Sequence, residues 1–411
     1  MHHTDSLPLQ AITVVDLTRV VAGPSATRTL CDLGATVLKI EPPDGDLLRQ
    51  GVPKVSGVAV GFTQLNTGKR MLSIDLQQVE GQRLVQRLVD RADVLVENYR
   101  PGVTTRLGLD FASASARNPG LVYCSISGYG QDGPAASRRA YAPIIHAELG
   151  LLDLNARERE TEPLPEAVSH ADFAVGAQAA TAILAALLHR QATGRGQHID
   201  VSMAETMLAM NEWTAVEVNG GFGGQISPFR PGRAALLKLP DGAWVQVPGN
   251  PTTWIFGVAR ALGKQGELEQ RGWLTPADTQ GHEQAIKALM QSWAAEFPSV
   301  RAFEAALDAA RIPLGQVKPL AGTLHEDWAL ARGAFVAVRS NDEDAEGAQV
   351  QVPRSPWRFS ASPGIGPRTG TCLRGAHNRS ELSERLGLDA AQLDLLEQTG
   401  VLCRETSSVS P

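Results

Sequence analysis

VSHADFAVGAQAATAILAALLHRQATGRGQHIDVSMAETML, Val168 to Leu208, is the stretch whose reading decides the fold. Ala177, Ala180, Leu184, Leu187 and Leu188 recur at i, i+3, i+7, i+10 and i+11, which predicts a helix with one apolar face. Thr193-Gly194-Arg195-Gly196 ends it, because glycine tolerates the left-handed backbone that closes a helix. His198 to Ser202 then alternates polar and apolar, as a short strand does. Asp172 falls at the mouth of the helix, where unpaired N–H groups and the positive end of the dipole favour an ionised carboxylate. An aspartate in that place is by default a helix cap. The small residues around it (Ala171, Ala174, Gly176 and Ala177) leave room for a second backbone or a ligand.

Upstream of this stretch, strands and helices alternate. Ala11 to Leu17 is an apolar run of strand length, followed by a turn at Ala22-Gly23-Pro24, a helix to Leu33 and a strand from Thr36 to Ile40. This is a β-α-β unit, which implies parallel strands and a right-handed crossover. Asp46 and Arg49 fall in a polar loop after it. Further strands are predicted over Arg70 to Leu76, Asp93 to Glu97 and Leu121 to Ile126, with helices over Val79 to Ala92 and near Val103 to Leu107. Such alternation predicts an α/β protein with an open, doubly wound (Rossmann-like) parallel sheet.

Dinucleotide binding on such a sheet needs G-x-G-x-x-G after the first strand. Here the turn holds one glycine, Gly23, beside Pro24, and Glu41 is an unremarkable acid after a strand, so a dehydrogenase is disfavoured. Downstream, Gly220 to Gly232 is rich in glycine and proline and reads as a linker. Asp241-Gly242 reads as a turn between strands at Ala234 to Leu239 and Ala243 to Val247. Helical periods follow at Trp254 to Leu262, Glu283 to Glu296 and Val300 to Ala310. The expected organisation is a large α/β domain over 1–205, a linker over 206–232, a small α+β domain over 233–320, and a linker and return to the large domain over 321–411, with a last helix around Ala390 to Gln398.

The bulk numbers narrow the function. The 411 residues are 43% hydrophobic and 20% charged, with a net charge of −6. That is an ordinary globular composition, and it lacks the basic blocks of a nucleic-acid binder. Cys31, Cys124, Cys372 and Cys403 are far apart, so neither a metal site nor a redox dithiol is expected; free thiols point to a reducing cytoplasm. MHHTDSLPLQ has no signal-peptide pattern, and no uninterrupted apolar run approaches the ~18 residues of a membrane span. His2 and His3 carry no assigned role.

Several long motifs, in order, are similar to those of the class III CoA-transferases. They are Ala22-Gly23-Pro24, Leu33 to Arg49 (LGATVLKIEPPDGDLLR), Asn66 to Leu76 (NTGKRMLSIDL), Val96 to Leu109 (VENYRPGVTTRLGL) and Asn118 to Pro134 (NPGLVYCSISGYGQDGP). Asp172, Gly176, Ile183 to Leu187, Arg190, Thr193 to Gln197 and Asp200 to Glu205 continue the pattern. Arg332 to Val336, Pro353 to Ser362 and His377-Asn378 resemble the family's return to its large domain.

The resemblance implies a transferase that moves CoA between carboxylic acids through a covalent aspartyl anhydride and an aspartyl-CoA thioester. It assigns the nucleophile to Asp172. It implies CoA contacts at Val20, Val21 and Ala22, at Asn98 and Tyr99, and at Arg106 and Arg139, with Lys39 and Lys69 as weaker cations. Tyr141 is either a substrate contact or a packing aromatic. Arginine suits phosphate through its planar fork of donors, although a solvated surface charge is its commoner state. No permanent cofactor is implied; CoA and acyl-CoA are substrates, the partners are small molecules rather than membrane or nucleic acid, and an interlocked homodimer in the cytoplasm is expected.

Three departures bear on the substrate. Formyl-CoA transferases of the family carry a glycine run where Pro228-Phe229-Arg230-Pro231-Gly232-Arg233 stands, an acid at Ala142 and a glutamine at Val21. They disfavour formate and oxalate and suit a larger or less polar acyl group. The competing readings are an α-methylacyl-CoA racemase of the same family, whose histidine would fall at Tyr141 with His146 and His170 nearby, and a non-catalytic CoA-thioester binder in which Asp172 is only a cap.

Overall fold

The computed structural model describes residues 7–221, 223, 231–342, 348–362 and 364–405. Pro228, Phe229 and Arg230, like His2 and His3, lie outside them. The chain divides into two compact units: residues 1–149, 166–210 and 327–411 form the first, and residues 150–165 and 211–326 the second.

The first unit is built on six parallel strands: β1 (Thr13–Asp16), β2 (Thr36–Glu41), β3 (Arg70–Ser73), β4 (Val94–Glu97), β5 (Val122–Ser127) and β6 (His198–Ser202). Their order is β3-β2-β1-β4-β5-β6, every pairing parallel. Successive strand residues point to opposite faces. Val14, Val37, Val94, Val96, Val122 and Cys124 therefore feed one core, and Val15, Leu38, Ile40, Leu72, Leu95 and Tyr123 feed the other.

The first face is covered by α1 (Ala22–Asp32) and the long helix α5 (His170–Thr193), with α4 (Ala142–Glu148) and α6 (Met203–Met210) beside it. The second is covered by α2 (Val79–Val89), α3 (Phe111–Arg117) and the C-terminal helices Asn378–Leu386 and Ala390–Gln398. The outer edge of β3 is covered from the C-terminal segment. The Met71 and Ser73 N–H groups donate to His377 Nδ1 and Asn378 Oδ1, each at 2.9 Å, and the Cys403 N–H donates to the Ser73 carbonyl at 3.1 Å.

Helix α5 buries Val175, Gly176, Ala179, Ala180, Ile183, Ala186 and Leu187, while Ala177 and Leu188 are exposed. The buried face is thus turned from the one the spacing of Ala177 and Leu188 predicted. The helix is apolar nearly all round, so periodicity cannot choose a face; side-chain size does. A Cβ on Gly176 would lie 2.0 Å from Ser25 Oγ and 2.7 Å from the Ala22 carbonyl oxygen, so α1 and α5 meet backbone to backbone there. The same apolarity makes α5 long and hydrophobic enough to cross a membrane by length and composition alone. Its buried small-residue face instead packs on α1. Gly194 ends it with φ 73°.

The second unit holds a three-stranded antiparallel sheet, with Trp244–Val247 between Ala235–Lys238 and Gly315–Gln316. Helices Pro251–Leu262, Glu283–Ala294 and Val300–Asp308 close a core around Ile255, Trp293 and Phe303. Residues 206–210, read from the sequence as the start of a linker, complete helix α6, and Thr214–Val218 is helical too.

Candidate active site

The strand order reverses direction between β1 and β4, and ligands of open α/β sheets bind at the carboxyl ends of the strands at such a point. The turn after β1 and the turn after β4 lie side by side there. Arg19 N–H donates to Asn98 Oδ1 and Asn98 Nδ2 donates to the Arg19 carbonyl, both at 2.9 Å. Asn98, expected as a ligand contact, thus spends its amide joining the two turns while one face of it lines a hollow.

That hollow has a volume of about 290 Å³. Val20, Ala22, Asn98, Tyr99, Arg139, Tyr141 and Asp172 all line it. Val21 does not, and Arg106 lines a second hollow of about 770 Å³ whose wall also includes Arg19 and Tyr99. Tyr141 is 58% exposed, which removes the packing role. Sequence reasoning missed Arg19, Arg100, Arg138, Gly128 and Met203, which line the first hollow as well. Arg19 and Arg100 had a signal: each sits in a turn at the switch point. Arg138 neighbours Arg139, but its guanidinium is paired with Glu148 and lies 5.0 Å over the Tyr129 ring. The Arg19 Nε is buried without a hydrogen-bond partner.

Asp172 is the third residue of α5, and Ser169 holds the cap position without a side-chain bond. Its carboxylate faces instead the backbone N–H groups of Ala142 and Ala22, the first residues of α4 and α1, which hold its pKa down. These are N–H groups that a helix start leaves unpaired, and they favour the ionised form. Burial opposes them and prevails, pushing the carboxyl from 3.8 up to about 6. Its own helix start is served by His146, which is buried and accepts the Ala171 N–H on Nε2 at 3.1 Å. Burial lowers the pKa of His146, and so does nearby His170. Below Tyr99, the Glu97 carboxylate accepts the Tyr99 N–H at 2.8 Å, and burial pushes it up to about 7.

The charges around the turn after β1 are internal. Asp46 and Arg49, expected in a polar loop, are buried: Lys39 Nζ pairs with Asp46 at 3.0 Å and Arg49 with Glu41 at 2.7 Å. Lys69 is buried against Asp16 at 3.1 Å. Lys39 and Lys69 are therefore not surface cations for phosphate, and Glu41 is not a ribose ligand. Among the described residues, no group of three His, Cys, Asp or Glu converges as a metal site.

An ionisable carboxylate at the floor of a cation-lined hollow, faced by two backbone donors, suits acyl transfer through an oxyanion. The profile of CoA-transferase family III matches residues 9–378. The chain belongs to CoA-transferase family III. It is 30% identical to the formyl-CoA:oxalate CoA-transferase of Streptomyces coelicolor, over 96% of this chain and 99% of that one. It is 31% identical to the succinyl-CoA–D-citramalate CoA-transferase of Chloroflexus aurantiacus, over 96% and 98%. A CAIB/BAIF family protein from Brucella suis has the same fold, with a TM-score of 0.78 and 31% identity over 92% of this chain and 99% of that one. The protein is an enzyme of the CoA-transferase class.

Proposed function

We propose that this enzyme moves CoA from an acyl-CoA thioester to a free carboxylic acid, with Asp172 as covalent nucleophile. The supporting observation is the Asp172 carboxylate, which lines the hollow and is met there by the N–H groups of Ala22 and Ala142. One Asp172 oxygen attacks the thioester carbonyl and expels the CoA thiolate, leaving a mixed anhydride. The thiolate then attacks the Asp172 Cγ; the first acid leaves, and an aspartyl-CoA thioester remains. The acceptor carboxylate attacks that Cγ in turn and expels the thiolate, which takes the new acyl group from the second anhydride and frees Asp172. Each attack on Cγ places an oxyanion on the Asp172 side chain, where two preorganised N–H donors stabilise it. No permanent cofactor enters this cycle.

The resemblance implies CoA contacts at Val20, Val21, Ala22, Asn98, Tyr99, Arg106 and Arg139, of which all but Val21 line one of the two hollows. Arg19, Arg100 and Arg139 line the first hollow and Arg106 the second, which supports an anionic ligand whose phosphates the guanidinium groups hold. The acids in the relatives' names, oxalate in one and citramalate in another, carry a second carboxylate; with Val21 and Ala142 suiting a larger acyl group, we propose dicarboxylic acids larger than oxalate as substrates here. The racemase reading needs a histidine facing Asp172 across the hollow. None lines it among the described residues, and His146 spends Nε2 on the Ala171 N–H. The buried thiols of Cys31 and Cys124, which form no disulfide, support a reducing cytoplasm.

Asp172→Asn keeps the size of the side chain and removes the nucleophile. CoA exchange between succinyl-CoA and a panel of dicarboxylic acids, followed by mass spectrometry, should fall by orders of magnitude. Hydroxylamine added to the wild type with acyl-CoA should modify Asp172 alone. A fully active, undeamidated Asp172→Asn protein would return Asp172 to a structural role.

A further inference from the structure

We propose that Asp46 is a positioning residue for the reaction: its carboxylate holds Val20 in the left-handed backbone conformation that aims the Ala22 N–H at Asp172. This rests on the CoA-transfer reading of Asp172. Val20 has φ 67°. A β-branched residue is strained there, and such strain persists only where its surroundings over-determine it.

The surroundings do so group by group. The Thr18 N–H donates to Asp16 at 2.9 Å, and the Thr18 carbonyl accepts from Lys39 Nζ at 3.0 Å. The Arg19 N–H and carbonyl are both taken by the Asn98 amide. The Val20 N–H lies 3.1 and 3.2 Å from the two Asp46 oxygens. Five successive backbone polar groups are thus bound by side chains rather than by other backbone. The first N–H of α1 itself is that of Ala22, which faces Asp172.

Asp46 is the member that grips the strained residue itself. It also accepts the Leu48 N–H at 3.0 Å and the Lys39 ammonium at 3.0 Å, so one carboxylate ties β2, the loop after it and the turn after β1 together. It is 1% exposed and lines neither hollow, so it touches no substrate. Loss of its grip lets Val20 relax toward negative φ and swings the Ala22 donor off the oxyanion. That weakens the chemical step more than it weakens acyl-CoA binding, to which Val20 is one of several contacts.

The test compares kcat and KM for the acyl-CoA in wild type, Asp46→Asn, and Asp46→Asn with Val20→Gly. Asp46→Asn should lose about tenfold or more in kcat, with a smaller change in KM, because a small displacement of a catalytic group costs rate. Glycine adopts positive φ without strain, so Val20→Gly should restore most of the lost kcat in the Asp46→Asn background. A purely structural ion pair would show no such rescue. A second variant guards against misfolding: Lys39→Met with Asp46→Val replaces the buried pair with apolar groups, a change that proteins tolerate. It should fold, by circular dichroism, and show the same loss in kcat. If either folded Asp46 variant keeps wild-type kcat, or Val20→Gly recovers nothing, Asp46 has no positioning role. If wild type transfers no CoA at all, the functional reading falls instead.

Discussion

Asp172 sits where two opposing forces act on one carboxyl: burial, which raises its pKa to about 6, and two helix-start N–H groups, which lower it. A nucleophile must be ionised, so turnover should fall as pH drops through about 6 and level off above it, measured as a kcat profile from pH 4.5 to 8. The same shift bears on stability. The folded pKa lies above the ordinary 3.8, so the folded state holds its proton longer and loses stability as pH rises from about 4 to 6. Asp172→Asn lacks that loss. Its melting temperature relative to wild type should rise across that window and stay flat above it. The position of Asp172 was legible from its helix start and its motif. Its partners were not, because Ala22 and Ala142 lie about 150 and 30 residues away and carry no side-chain signal.

Among the elements, the contact between α1 and α5 sets the site, since each supplies one side of the Asp172–Ala22 pair. Gly176 sets that distance. Gly176→Ala puts a methyl group 2.0 Å from Ser25 Oγ and 2.7 Å from the Ala22 carbonyl, and the backbone oxygen cannot rotate away. We expect about 1–3 kcal/mol of lost stability from overpacking, read by urea unfolding, and a fall in kcat larger than the change in KM. The strands were legible to within about three residues, most of them because buried parallel strands are short apolar runs, and β6 because it alternates. The buried face of α5 was not: a helix apolar on every side carries no moment, and the deciding residues are the smallest ones. The buried network of Lys39, Asp46, Glu41 and Arg49 was also hidden, since charged residues between strand and helix ordinarily sit in water.

For the whole molecule, the return of residues 327–411 to the first unit makes that unit discontinuous in sequence. The motif order implied such a return, while its contacts with β3 had no pattern of their own to announce them. Phe173, Leu188, Leu208 and Met210 leave an apolar surface on α5 and α6, between 42% and 66% exposed. Surfaces of that kind mark interaction sites, and the family resemblance names a second copy of the chain as the occupant. Light scattering should give twice the 43.8 kDa chain mass at all concentrations where the protein is folded. A fully active monomer would rule this assembly out.

The cover on the edge of β3 has a consequence for how the protein is made. Met71 waits for His377, 306 residues later in the chain. At about 5–20 residues per second, synthesis leaves that strand edge bare for roughly 15–60 s. A bare edge of a parallel sheet is a template for pairing with other chains. Until His377 and Asn378 emerge, that edge is open to another strand, so the sheet beneath the Asp172 helix completes its edge late in synthesis.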